Sequence, residues 1–308
     1  MSTLWAFPGQ GAQQPGMLQA LPDAPLVQAC LEQASAALGE DVRLLDSTEA
    51  LQSTRAVQLC LLIAGVAAAR LLIERGHRPD YVAGLSIGAY AAAVVGGALD
   101  FVDAVRLVAL RGELMQRAYP SGYGMTAILG LDLASIERLL VEADGPVYLA
   151  NINAETQLVI AGSDAAMATV AERARGLGAG AAKRLAMSVP SHCELLDEPA
   201  RELAAAFAKV ELRAPQVRYL SSSSARLIRD PETLRDDLAR NMSRVVDWQA
   251  TLVTAYERGV RLHLELPPGS VLSGLARRVF APGQAIAFAG ARLDTLDAML
   301  RQEVSRDR

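Results

Sequence analysis

Ser86 stands at the centre of Gly84-Leu85-Ser86-Ile87-Gly88, a G-x-S-x-G pattern that suits the display of a nucleophilic hydroxyl. Between a strand and a helix, such a turn strains the serine backbone and aims the Ile87 amide and the helix N-terminus at one point. Donors placed there stabilise the negative oxygen that develops when a nucleophile adds to an acyl carbonyl. A serine hydroxyl is a weak nucleophile at neutral pH and needs a base to take its proton. The chain has three histidines to choose from. His77 falls in a polar helix-to-strand turn, and His263 alternates with Arg261 and Glu265 on the polar side of a strand, so solvated roles are expected for both. His192 follows Ser188-Val189-Pro190-Ser191, where a proline ends an extended segment and a helix starts. Clefts lie at such corners, and His192 is the favoured base. A second oxyanion donor is available in the amide of Gln10, within the loop Pro8-Gly9-Gln10-Gly11, if that strand neighbours the Ser86 strand. A purely structural turn explains the same residues equally well.

These residues need elements to hold them. A short apolar strand, Leu4 to Phe7, feeds the Gln10 loop. Residues 55–74 read as a helix apolar on nearly every side, the pattern of a helix buried at the centre of a fold. Tyr81 to Ala83 is a strand running into the Ser86 turn, and helix resumes through Val95. From Gly124 to Met187 the rhythm becomes strand, helix, strand, strand, helix, strand, with Ser163 where the second helix needs its cap. That order is the ferredoxin-like unit. Helix is then expected at 193–208, strand at 217–221, helices at 233–242 and 247–258, strand at 260–266 and helix from Ser270. The expected class is α/β: a large parallel-sheet, α/β-hydrolase-like domain (residues 1–122 and 189–308) carrying an inserted ferredoxin-like βαββαβ subdomain (residues 123–188).

Composition narrows the function classes. With 308 residues, 51% hydrophobic and 21% charged, the chain has ample material for a core and is not disordered. The net charge is −4, and lysine occurs only at Lys183 and Lys209, so arginine supplies nearly all the cations. The basic surplus of a nucleic-acid binder is missing. The apolar runs Leu59 to Ala69 and Ile87 to Leu99 fall short of the roughly 18 residues that cross a bilayer. No cationic segment precedes an apolar stretch at the start, so neither a span nor a secretory signal is expected. Cys30, Cys60 and Cys193 form neither an even disulfide set nor a CxxC pair, which fits a reducing cytoplasm. No His/Cys/Asp cluster has ligand spacing, so no metal and no bound cofactor are expected.

Six segments, read in order, resemble the successive motifs of the malonyl-CoA:acyl carrier protein transacylase family. They are Phe7-Pro8-Gly9-Gln10-Gly11-Ala12-Gln13, Gly84 to Gly88, Arg111-Gly112-Glu113-Leu114-Met115-Gln116, Ala150-Asn151-Ile152-Asn153 with Val159-Ile160-Ala161-Gly162, Val189-Pro190-Ser191-His192 and Pro268-Gly269-Ser270-Val271-Leu272-Ser273-Gly274. The resemblance covers nearly the whole chain. It implies that Ser86 is the acylated nucleophile, that His192 is its base, and that the Gln10 and Ile87 amides form the oxyanion hole. It also implies that Arg111 binds the free carboxylate of a malonyl group through a bidentate fork, which a guanidinium suits. On the pattern alone Arg111 is a solvated residue of a helix at 101–117, and only the resemblance promotes it. Malonyl-CoA would be the donor and an acyl carrier protein the acceptor, by a ping-pong route.

The chain departs from the family at two positions, with Leu85 where a histidine is usual and Ala89 where a glutamate often stands. Where the family places a Gln or Asn that holds the catalytic histidine, we align Val245-Val246-Asp247-Trp248. Asp247 either orients His192, completing a Ser-His-Asp set, or caps the helix that begins there. The run Gly84-Leu85-Ser86-Ile87-Gly88-Ala89-Tyr90 is most like the epsilon (transacylase) subunit of biotin-independent malonate decarboxylase, which charges its own complex's carrier subunit. A general fatty-acid-synthesis transacylase is the alternative. Two other classes stay open: an α/β-hydrolase esterase with His263 as base, since that fold places its histidine late, and an inactive carrier-docking subunit, suggested by Leu85 and Ala89.

Overall fold

The first strand is apolar without alternation, so it must be covered on both faces. The computed structural model describes residues 2–281 and 283–305 and buries that strand at the centre of a sheet. In chain order the first half runs β1 (Ser2–Phe7), α1 (Pro25–Leu38), α2 (Thr54–Glu74), β2 (Tyr81–Gly84), α3 (Gly88–Val95) and α4 (Phe101–Ala118). Then come β3 (Tyr123–Leu129), α5 (Leu133–Val141), β4 (Val147–Ala154), β5 (Gln157–Ser163), α6 (Asp164–Gly176) and β6 (Ala181–Arg184). The last part holds α7 (Asp197–Phe207), β7 (Arg218–Leu220), β8 (Leu227–Ile228), α8 (Pro231–Arg240), β9 (Val246–Asp247), α9 (Trp248–Glu257), β10 (Val260–Glu265), α10 (Val271–Val279), β11 (Gln284–Ala287) and α11 (Leu293–Ser305).

Two sheets result. The larger has the order β11-β10-β1-β2-β7-β8, parallel throughout except for the β7–β8 pair. The smaller has the order β6-β3-β5-β4-β9. Its first four strands pair antiparallel, and β9 joins β4 in parallel through Asn151 opposite Val246. The sequence reading places no strand at β9, because two residues are too few to show a period. It also expects one helix at 193–208, whereas Glu194–Leu196 form a 3₁₀ turn before α7 starts.

Side-chain caps start several of the helices. The Asp100 carboxylate accepts from the Val102 amide at 2.8 Å to start α4, and Ser163 Oγ accepts from Ala166 N at 3.3 Å to start α6, as expected. At 21 residues α2 outlasts the uninterrupted apolar run Leu59 to Ala69 and is long and apolar enough to cross a membrane, yet it is mostly buried and packs against α1, α3 and α4. Each fully buried Leu or Ile on it contributes roughly 1.5–3 kcal/mol.

Both histidines expected at the surface are buried. His77 Nε2 lies 2.8 Å from Asp297 Oδ1, and the same carboxylate pairs with Arg75, so the two residues fasten α11 to the end of α2. His263 sits on β10, an interior strand between β1 and β11, with its ring edge-on to Phe280 at 5.8 Å. The polar alternation of Arg261, His263 and Glu265 therefore does not mark a solvated face, because α10 covers it.

Candidate active site

The Ser86 turn is built by backbone crowding. A Cβ on Gly84 would fall 1.9 Å from the Gly88 carbonyl carbon, and one on Gly88 would fall 2.1 Å from the Phe7 oxygen. Only glycine permits either approach. Leu85 N donates to Phe7 O at 3.0 Å, which stitches the turn to the end of β1. Ser86 has φ of 55°, a left-handed conformation that costs a non-glycine residue on the order of 1–3 kcal/mol. Because β1 and β2 are parallel neighbours, the Gln10 loop lies beside the nucleophile, and Gln13 Oε1 accepts from Gly11 N at 2.6 Å to hold the loop closed. The Gln10 and Ile87 amides make no hydrogen bond among the described residues, leaving both free to meet an oxyanion.

His192 is delivered to Ser86 from 106 residues away, with Nε2 at 2.8 Å from Ser86 Oγ. Its other nitrogen, Nδ1, lies 2.9 Å from the Asn241 carbonyl and 3.1 Å from the Arg244 carbonyl. Carbonyls only accept, so Nδ1 carries the proton and Nε2 presents its lone pair to the serine hydroxyl. Burial first, and the nearby charge of Arg111 second, bring the imidazole down to about 4, so it is neutral near pH 7. Asp247 takes no part in this arrangement: its carboxylate accepts from Ala250 N at 2.9 Å and caps α9. Of its two readings the structure supports the cap, because backbone carbonyls already occupy the Nδ1 side.

Arg111 is buried, not solvated, with a relative exposure of 1%. Its Nη1 donates to Gln58 Oε1 at 2.7 Å, and its Nη2 to Asn241 Oδ1 at 3.2 Å and Ser86 Oγ at 3.3 Å. No carboxylate pairs with it among the described residues, and its Nε is buried without a partner. A buried uncompensated guanidinium is costly, and an arriving anion repays that cost. Gln10, Ser86, Ile87, Arg111 and His192 line one cavity of about 160 Å³ between the two sheets. A groove of about 750 Å³ adjoins it, sharing Gln10, Leu185 and Met187 as walls.

The acyl transferase domain family matches residues 4–302. The malonyl CoA-acyl carrier protein transacylase of Escherichia coli K12 is 39% identical over 89% of this chain and 92% of its own. The chain belongs to the malonyl-CoA:acyl carrier protein transacylase family. A relative from Bacillus subtilis is 33% identical over 89% of each chain. Among solved structures, the transacylase of Coxiella burnetii superposes with a TM-score of 0.90 at 37% identity, covering 93% of each chain. A type II PKS acyl-carrier protein in complex with its malonyl-transacylase matches with a TM-score of 0.90 at 37% identity, covering 94% of this chain and 97% of that one.

As a member of the transacylase family, the chain brings five of its six expected site residues to one cavity and leaves Asp247 outside. Two residues escaped the sequence reading. Gln58 is the one strongly polar side chain between Ala56 and Ala69, a signal that marks it as unusual without saying what it faces. Asn241 follows α8 in a 3₁₀ turn and has no pattern to betray it. The esterase ordering fails here, since His263 is sealed in the core while His192 meets Ser86.

Proposed function

We propose that this chain transfers malonyl from malonyl-CoA to the thiol of an acyl carrier protein through an ester on Ser86. One observation carries the reading: a serine hydroxyl lies 2.8 Å from a neutral imidazole and 3.3 Å from a buried, charge-uncompensated arginine. Ser86 Oγ adds to the thioester carbonyl as its proton passes to His192 Nε2, and the oxyanion faces the Gln10 and Ile87 amides. The C–S bond then breaks, and the departing CoA sulfur takes the proton from His192. In the second half the carrier thiol gives its proton to His192 and attacks the ester carbonyl, and Ser86 leaves with that proton. Throughout, Arg111 holds the distal carboxylate. Intact-mass measurement after mixing with malonyl-CoA is expected to show a malonyl adduct on the wild type and none on Ser86→Ala. Active wild-type protein that never carries the adduct overturns the mechanism.

For the acceptor, we read the carrier subunit of malonate decarboxylase, supported by Gly84-Leu85-Ser86-Ile87-Gly88-Ala89-Tyr90. The names of the relatives support the general alternative, an acyl carrier protein. Transfer rates from malonyl-Ser86 to each carrier decide between them. We also read residues 1–122 with 189–308 as an α/β-hydrolase-like unit and 123–188 as its ferredoxin-like insert. The strand order β6-β3-β5-β4 and the packing of α5 and α6 in one cluster support that division.

A further inference from the structure

Arg111 is gripped by two carboxamides and by no carboxylate among the described residues. Gln58, on α2, offers Oε1 to Nη1, and its Nε2 is tied to Met115 Sδ at 3.3 Å, which fixes which way the amide faces. Asn241 offers Oδ1 to Nη2, while its backbone carbonyl orients His192. Both residues are completely buried. A glutamate at 58 or an aspartate at 241 would have nearly the same shape and could make the same hydrogen bond. Either would also satisfy the guanidinium's charge, the usual requirement for a buried arginine. The chain uses neutral acceptors at both positions. The guanidinium is therefore fixed in direction while no carboxylate among the described residues neutralises its charge, which stays available to an incoming anion.

We infer that Gln58 and Asn241 set donor selectivity: by holding Arg111 through neutral carboxamides, they reserve its charge for acyl donors that bear a carboxylate. This rests on the malonyl-transfer reading and deepens it. Asn241 also links the anion clamp to the base, because its side chain and its carbonyl serve Arg111 and His192 respectively.

The test measures rate constants for Ser86 acylation by malonyl-CoA and by acetyl-CoA, read by intact mass, in the wild type, Gln58→Glu, Asn241→Asp and Arg111→Met. The malonyl-to-acetyl ratio is expected to fall roughly tenfold or more in both acid variants, approaching that of Arg111→Met. The uncharged controls Gln58→Met and Asn241→Ser are expected to shift the ratio much less, and equal shifts there would overturn the inference in favour of packing. Acid variants that keep the wild-type ratio while Arg111→Met lowers it also overturn the inference and leave malonyl transfer standing. An unchanged ratio in Arg111→Met defeats the malonyl reading itself. The two acid substitutions lie on different elements and the ratio counts only acylated molecules, so either variant suffices if the other does not fold.

Discussion

His192 works in surroundings that disfavour its charged form. Burial is the larger cause and Arg111 the second, and together they bring the imidazole to about 4. A base so depressed is fully available at neutral pH, but it accepts a proton reluctantly. A substrate carboxylate on Arg111 cancels the second cause at the moment the proton must move, so substrate binding strengthens the base. The free enzyme should show this in its pH dependence. The value of kcat/KM for malonyl-CoA is expected to stay level from neutral pH down to about 5 and to fall with an acid limb near 4. In Arg111→Met the limb for acetyl-CoA should move up toward the ordinary histidine range, stopping short because burial remains. A wild-type limb at or above 6.5 would show that His192 is not held as the geometry indicates.

At the scale of elements, residues 241–247 do three things at once. The carbonyls of Asn241 and Arg244 orient His192, Val246 and Asp247 add β9 to β4, and the Asp247 carboxylate starts α9. Replacing Asp247 by alanine should therefore cost about 1 kcal/mol of stability through the lost cap. Because backbone carbonyls hold Nδ1, Ser86 acylation and its acid limb should stay close to those of the wild type. Thermal melts and acylation rates on the same preparation check both halves. A displaced acid limb with a stability loss too small to account for it would return Asp247 to the catalytic set. The contrast with Ser86 explains what the sequence could disclose. The G-x-S-x-G turn was legible because crowding at Gly84 and Gly88 forbids any other residue, so geometry is written in residue identity. The partners of His192 Nδ1 are main-chain oxygens, which leave no trace in side-chain pattern. The Arg111 holders come from α2 and from the turn after α8, and only packing brings them together. The α/β order was readable from hydrophobic runs and turns, whereas β9 and the burial of His77 and His263 depend on contacts distant in sequence.

The molecule as a whole encloses two neutral imidazoles, and that sets how it responds to acid. Neither ring nitrogen of His263 has a side-chain or main-chain partner on another residue among the described residues, and burial pushes it down to about 3. An unfolded chain takes up the same proton at the ordinary value of 6.5, so between 6.5 and 3 the unfolded state binds more protons. The stabilising contribution is fully present above 6.5 and is lost as the pH falls. His192 acts in the same direction down to about 4. The buried carboxyls of Asp237 and Glu265 are raised by burial and act oppositely, their contributions being present on the acid side and lost as the pH rises. Comparing the wild type with His263→Leu isolates one group from this sum. The melting temperature of the wild type should drop more steeply than that of the variant between pH 7 and pH 4. At pH 7 the variant should match or exceed the wild type, since leucine removes two buried polar nitrogens that lack partners among the described residues. Parallel curves would mean that His263 titrates alike in both states and would refute its burial as a neutral ring. On the same samples, His263→Leu should still acylate Ser86 at neutral pH while His192→Ala does not, because only one of the two imidazoles reaches the nucleophile.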